Sequence, residues 1–363
     1  MPKLLQRLIG AIVIVLLLVA LNEYTSEAGL FGFGLPPYYA RILMLAGINI
    51  TLAVSLNLIN GFTGQFSIGH AGFMAIGAYA SAYLTVYHGQ VWERSMGGGT
   101  LAHVLVFLIA ILVGALAAAI AGLIVGIPSL RLRGDYLAIV TLGFAEIIRI
   151  VILNIDVVGG ATGFAVPGYT NFIWVGAFAV ITIVTVHNIV HSDTGRALVS
   201  IREDELASEA MGVNTTRYKV LAFVISSAFA GVAGVLFGHY TQFLSTNDFQ
   251  FIRSFEIIIM IVLGGMGSIT GSILGALVIT ILPELLRGFS EWRLVIYSAL
   301  LILIMLTRPQ GVLGTREFGL NWLKRPQKRP EGDEAVGTSK GVPIAERHDT
   351  PKASDPVKEV KNR

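Results

Sequence analysis

Arg202, Glu203, Asp204, Glu205 and Glu209 crowd into one short stretch of a chain in which only 13% of residues are charged. The stretch runs from Gly195 to Lys219, and the segments on either side are apolar enough to sit in lipid. Leu198, Ile201, Leu206, Ala210 and Met211 recur within it at roughly the helical period. Gly212 supplies a residue at which such a helix can stop, because glycine takes the left-handed conformation a helix end needs. The chemistry available here is recognition. A short amphipathic helix in water presents one apolar and one charged edge to a soluble partner.

Other reactive residue types are sparse. His70, His103, His187, His191 and His239 show no metal-ligand spacing beside carboxylates, so no metal site and no cofactor are expected. There is no cysteine, which excludes thiolate chemistry and disulfides. No Gly-x-x-x-x-Gly-Lys-Ser/Thr loop occurs, so ATP hydrolysis, if it drives this protein, belongs to another chain. No polar cluster suits catalysis, and the chain is not expected to be an enzyme. Glu146 and Arg149 stand three apart inside an apolar segment, where ionisable groups are costly. Their spacing predicts mutual neutralisation rather than a substrate clamp. Arg253 and Glu256 have the same spacing and fall near a membrane interface.

The elements that must position these residues are membrane helices. The 363 residues are 54% hydrophobic, with a mean hydropathy of +0.72, whereas a soluble domain carries about 25% charged residues. The 41 glycines suit membrane helices, which use glycine for close backbone approach. The fold class is therefore all-α, a polytopic transmembrane bundle of about nine or ten membrane segments. Spans are expected at 4–21 (retained, since no convincing cleavage site follows), 38–59, 68–87, 101–127, 136–155, 171–190 and 220–243. A stretch at 254–286 should be split in two, with a last span at 294–307. Loops are expected at 88–100 and 156–170, with Pro128 ending the fourth span. Gly231, Gly234 and Gly238 share one face of the seventh and should mark close helix packing.

Two glycine-rich interruptions stand out. Asn57 to Phe73, containing Gly64, Gln65, Ser67 and His70, is too apolar for a water loop and too rich in glycine for a regular helix. Gly264-Gly265-Met266-Gly267-Ser268 breaks the 254–286 stretch. The two share a glycine-serine-isoleucine-glycine texture. Irregular backbone at membrane depth is tolerated where protein or a water-filled cavity covers it, and paired interruptions point to a transport path. The path residues on this reading are Asn57, Gly64, Gln65, Ser67, His70, Gly264, Gly265 and Ser268.

Basic residues give the orientation. Lys3, Arg7, Arg131, Arg133, Arg196, Arg202, Arg217, Lys219 and the basic residues after Arg308 fall on one face, while 22–37 and 156–170 carry acids but no lysine or arginine. Both ends and the 191–219 linker are thus expected in the cytoplasm. The expected division is a membrane domain at 1–314 and a tail at 315–363 too poor in aromatic and branched residues to form a core. The net charge of +3 gives no reason to expect a nucleic-acid partner.

The motifs Asn57–Phe73, Arg131–Phe144, Gly159-Gly160-Ala161-Thr162-Gly163, Gly195–Gly212, Leu263–Ser268 and Arg308-Pro309-Gln310-Gly311-Val312-Leu313-Gly314 occur in one order. Over residues 38–314 the sequence resembles the second-type permeases of branched-chain amino acid importers of the ATP-binding-cassette class. The resemblance implies a type II-like importer fold. It also implies a homologous second permease, two cytoplasmic ATPase subunits and an extracytoplasmic binding protein as partners in the cell membrane. Residues 198–212 would then be the coupling helix, with Arg202, Glu203, Glu205, Glu209, Ala210 and Gly212 contacting the ATPase. Relatives of this kind also carry urea and short amides, the alternative substrates. A lone channel or ion-coupled transporter would need acidic residues at mid-span, and most carboxylates here lie at ends or in loops.

Overall fold

The computed structural model describes residues 36–286, apart from 131 and 133, and scattered positions between 292 and 314. All of them belong to one compact unit. The spans expected at 4–21 and, but for isolated positions, at 294–307 lie outside the described residues, as does the 315–363 tail.

The helices follow from local signals. Helix α1, Pro37–Asn57, starts where prolines fix the backbone for a first turn, and it continues as a π turn, Leu58–Phe62. Helix α2, His70–Leu84, ends in a second π turn, Thr85–Gly89. The expected 88–100 loop instead holds a short helix, α3, Gln90–Ser95, because the π turn carries helical backbone past the apolar run and Gly97 and Gly98 stop it only later. Helix α4, Gly99–Ser129, contains Pro128 in its last turn rather than ending before it. Proline there removes one donor, but the helix closes a turn later with Leu130 N–H on the Gly126 carbonyl at 2.9 Å. Helix α5, Asp135–Leu153, opens with an acidic residue that complements its dipole. Strand β1, Phe164–Ala165, and helix α6, Phe172–Val190, follow.

The linker is two helices rather than one: α7, Asp193–Glu203, and α8, Glu205–Ala210. Helix α9 spans Thr215–Thr241 and leads to strand β2, Phe243–Leu244, which pairs antiparallel with β1. Among the described residues, these two-residue strands depart from an all-helical fold. Helices α10, Phe251–Gly264, and α11, Ile269–Leu285, confirm the split of the 254–286 stretch.

Among the described residues, five helical segments are long and apolar enough to cross a membrane: Pro37–Phe62, Gly99–Ser129, Asp135–Leu153, Phe172–Val190 and Thr215–Thr241. Burial separates them. The first and last are 72% and 61% buried, against 33%, 28% and 22% for the other three, so α1 and α9 form the centre. Helix α4 shows why the outer helices differ. Leu101, Leu105, Leu108, Leu112 and Leu116 point outward, while Val106, Ala110, Gly114 and Ala118 are packed inward. An outward apolar stripe is what a lipid-facing helix needs. Inside, Gly77, Gly114 and Gly231 stack backbone on backbone, and a Cβ on Gly77 would run into the Gly231 main chain. Gly234 lies equally close to the Met74 carbonyl, and Gly238 packs on Leu244. The glycine face of α9 is a packing face, as its spacing predicts.

Candidate functional site

The site grows from the last turns of α1. There the chain holds two asparagines three residues apart, and the helix widens into its π turn. Both side chains are buried, and each uses both ends of its amide on a different irregular segment. Asn57 Oδ1 accepts the Gly267 N–H at 2.9 Å, and its Nδ2 donates to the Ser268 carbonyl at 3.0 Å. Asn60 Nδ2 donates to the Ser67 carbonyl at 3.1 Å, while its Oδ1 accepts the Ser67 N–H at 3.2 Å. One helix end thus holds both glycine-rich interruptions and satisfies backbone groups that have no helix to pair in. The two meet directly: a Cβ on Gly61 would collide with the Gly267 nitrogen.

The second interruption is a tight turn between α10 and α11. Gly265 and Gly267 adopt φ of +118° and +83°, values that side-chain-bearing residues avoid. Ser268 caps α11 by accepting the Gly271 N–H at 3.0 Å. Gly311, Val312 and Gly314 lie against this turn. Val312 N–H donates to the Leu263 carbonyl at 2.8 Å, and Gly311 and Gly314 approach Gly265 too closely to admit a Cβ.

The first interruption passes from Thr63 to Gly69. Gly64, at φ +71°, lies against the Arg202 side chain. Gln65 is partly exposed and bonds through its main chain to the Ile59 carbonyl at 3.1 Å. Ser67 is buried against Asn60. Thr141 Oγ1 accepts the Ile68 N–H at 3.1 Å, and Ser254 Oγ accepts the Ala71 N–H at 3.2 Å. His70 is 2% exposed, with Nε2 3.0 Å from Ser55 Oγ.

The charged linker touches both interruptions. Leu198 and Ile201 of α7 are buried, and Leu198 joins a cluster with Val54, Leu58, Phe62, Val186, Ala222 and Ile269. Burying two such side chains contributes roughly 1.5–3 kcal/mol each. The apolar edge expected along 198–212 is therefore not continuous. Its first half docks α7 on the bundle. After the break at Asp204, Leu206 (63% exposed) and Met211 (85% exposed) face outward. Asp204 causes the change of direction: its extended backbone ends α7, and its carboxylate caps α8 by accepting the Ala207 N–H at 3.0 Å.

Arg202, on the last turn of α7, reaches inward. Its Nη1 donates to the Gly61 carbonyl at 3.1 Å. A Cβ on Gly267 would stand 3.1 Å from the same nitrogen. Nη2 pairs with exposed Glu203 at 2.7 Å. Glu205 forms an ion pair with Lys219 Nζ at 2.6 Å, and Lys219 is 2% exposed. Glu209 accepts the Thr215 hydroxyl at 2.7 Å. Ala210 ends α8, and Gly212 follows at φ +85° with open space around it. The sequence pattern points to Arg202 and Glu205 but not to Asn60, Thr141, Ser254 or the pairing role of Lys219. The signal for Lys219 was a lysine five residues into an apolar helix. Glu146 does pair with Arg149 at 2.7 Å, and its second oxygen also accepts the Phe251 N–H at 3.1 Å.

A bundle of apolar helices, with two glycine-rich breaks held together inside it and a charged two-helix linker outside, defines an integral membrane permease. Residues 38–306 match the family described as the permease component of the branched-chain amino acid transport system, and the chain belongs to it. It is 34% identical to the high-affinity branched-chain amino acid transport system permease protein LivM of Escherichia coli, an alignment covering 83% of this chain and 73% of that protein. The probable branched-chain amino acid transport permease protein LivM of Methanocaldococcus jannaschii is 24% identical, over 76% of this chain and 92% of that one. The E. coli permease protein LivH is 36% identical across 147 residues, covering 40% of this chain and 47% of LivH.

Proposed function

We propose that this chain is the membrane permease of an ATP-binding-cassette importer and forms the translocation path for leucine, isoleucine and valine. It works with a homologous second permease, two cytoplasmic ATPase subunits docked on the linker and an extracytoplasmic binding protein. The likeness to both LivM and LivH supports the paired-permease arrangement. Both ends of the chain and the linker face the cytoplasm.

The observation that carries this reading is Arg202. It sits on the linker, the part that a soluble motor can reach, and it bonds the Gly61 carbonyl while lying against Gly64 and Gly267. Movement of α7 therefore pulls on both interruptions at once. Leu206 and Met211 supply the exposed apolar contacts for a helix-in-groove dock, with Glu203, Glu205, Glu209, Ala210 and Gly212 around them. Asn57, Gly64, Gln65, Ser67, His70, Gly264, Gly265 and Ser268 form the gate of the path. In this arrangement Asn57 bonds to Ser268 across the two interruptions, while Ser67 bonds to Asn60 and His70 to Ser55, so the two segments are held together and the gate is closed. A swing of α7 separates the two segments and opens it.

Uptake by the assembled transporter in liposomes tests the proposal. ATP is enclosed, the binding protein is added outside, and leucine, isoleucine, valine, urea and acetamide are compared. ATP-dependent accumulation of the three amino acids is expected. Accumulation without any ATPase subunit, or of urea or amide alone, refutes it. Because the chain has no cysteine, Leu206→Cys also gives a clean topology probe. An impermeant maleimide should label it in inverted vesicles and not in intact cells.

A further inference from the structure

A second, half-buried polar cluster lies at the start of α10, away from the linker. Arg253 donates from Nη1 to Glu256 Oε2 at 2.7 Å and from Nη2 to Asn49 Oδ1 at 2.7 Å. Asn49 Nδ2 in turn donates to Thr280 Oγ1 at 2.8 Å. These four side chains and Asp248 line a cavity of about 380 Å³. Its apolar wall is Leu45, Phe237 and Ile252. The volume falls within the range of small-molecule sites, about 300–1,000 Å³.

The sequence places Arg253 and Glu256 near a membrane interface; the bond from Arg253 to Asn49 puts them at mid-span instead. Asn49 stands twelve residues after Pro37 and thirteen before Phe62, the middle of that span. Helix α10 begins beside it with 14 residues, a length of about 21 Å against a hydrocarbon core of about 30 Å. Helix α10 is thus too short to cross, and its N-terminal end, with Arg253 on it, opens on the cavity at the depth of Asn49. Broken helices that aim such an end at an anionic group mark substrate sites in transporters. An ion pair three residues apart adds little to helix stability, less than the cost of holding charges at membrane depth. Stability does not account for the cluster.

We propose that this cavity is a transient binding site for the zwitterion of an aliphatic α-amino acid in transit; the assignment rests on the transport reading above. The guanidinium fork of Arg253 and the α10 end take the carboxylate, a planar match that an ammonium could not offer. Glu256 and Asp248 take the ammonium, and Leu45, Phe237 and Ile252 take the side chain. In the empty site Arg253 already has protein partners. A substrate therefore exchanges bonds rather than adding them, and the site stays weak enough to release.

The test uses the assembled transporter in liposomes, comparing Glu256→Gln, Arg253→Gln and the charge-exchanged Arg253→Glu/Glu256→Arg with the unmodified protein. Leucine uptake should fall about tenfold or more in each single variant, as expected for a lost charge-assisted contact. Membrane abundance should stay unchanged. Glu256→Gln carries the test should Arg253→Gln fail to accumulate, because Arg253 keeps its bond to Asn49 there. The exchanged pair should not restore uptake, because it presents the wrong sign to each end of the substrate. Restored uptake in the exchanged pair, or normal uptake in Glu256→Gln, overturns the site and leaves the transport reading standing. An unmodified transporter that moves an amide but no amino acid overturns the transport reading itself.

Discussion

The Glu205–Lys219 pair is the most demanding test of how the linker is held. Lys219 Nζ is 2.6 Å from Glu205 Oε2, and the lysine side chain is 2% exposed against 21% for the glutamate. Removing one partner of a fully buried pair costs about 3–5 kcal/mol, because the other charge is left without compensation. One side of this pair is open to water, so Glu205→Gln should cost about 2–4 kcal/mol. Lys219→Met leaves only a carboxylate that water can reach and should cost less, about 1–2 kcal/mol. The double variant leaves no buried charge. It should be less destabilised than the sum of the single variants, with a coupling of about 1.5 kcal/mol or more. The assay is unfolding of the purified full chain by sodium dodecyl sulfate in mixed micelles, comparing the four proteins of the cycle. Proteolysis at the 203–214 linker, which the pair ties to α9, should rise in parallel. Additivity within about 0.5 kcal/mol would refute the claim that this contact holds α8 to the bundle.

Asn57→Ala removes both bonds to the Gly267–Ser268 turn and should destabilise by about 2–3 kcal/mol in the same unfolding assay, with Asn57→Asp at least as costly because a buried carboxylate oxygen would face the Ser268 carbonyl. Gly77→Ala puts a methyl into the Gly231 backbone and should cost about 1–3 kcal/mol from overpacking, seen as lower extraction yield and an earlier unfolding midpoint. Gly212 has φ +85° but no neighbour within 4 Å, so Gly212→Ala should cost only about 1–2 kcal/mol of backbone strain. Gly212→Asn should cost less, and uptake should rank in that order. Deleting 325–363 should leave leucine uptake unchanged; complete loss would show that the tail takes part in transport.

Hydropathy alone determines much of this protein. Runs of apolar residues near 38–59, 101–127, 136–155, 171–190 and 220–243 become long helices because a lipid-soluble backbone must satisfy its own hydrogen bonds, and the helix does so locally. The glycine triplet at 264–267 breaks its stretch for an equally local reason, since positive φ is cheap only for glycine. The charged linker is legible because its residues cannot enter lipid. What the sequence could not show is which polar residues meet. Asn57 and Ser268 are 211 residues apart, and Arg202 and Gly61 are 141 apart. No periodicity encodes such pairings; they arise when α1, α7 and the start of α11 close on one another. The same holds for the linker's apolar edge. The residue pattern reads as one helix, but Asp204 caps a second one. Only packing against Val54, Leu58 and Phe62 decides that Leu198 turns inward while Leu206 remains outside.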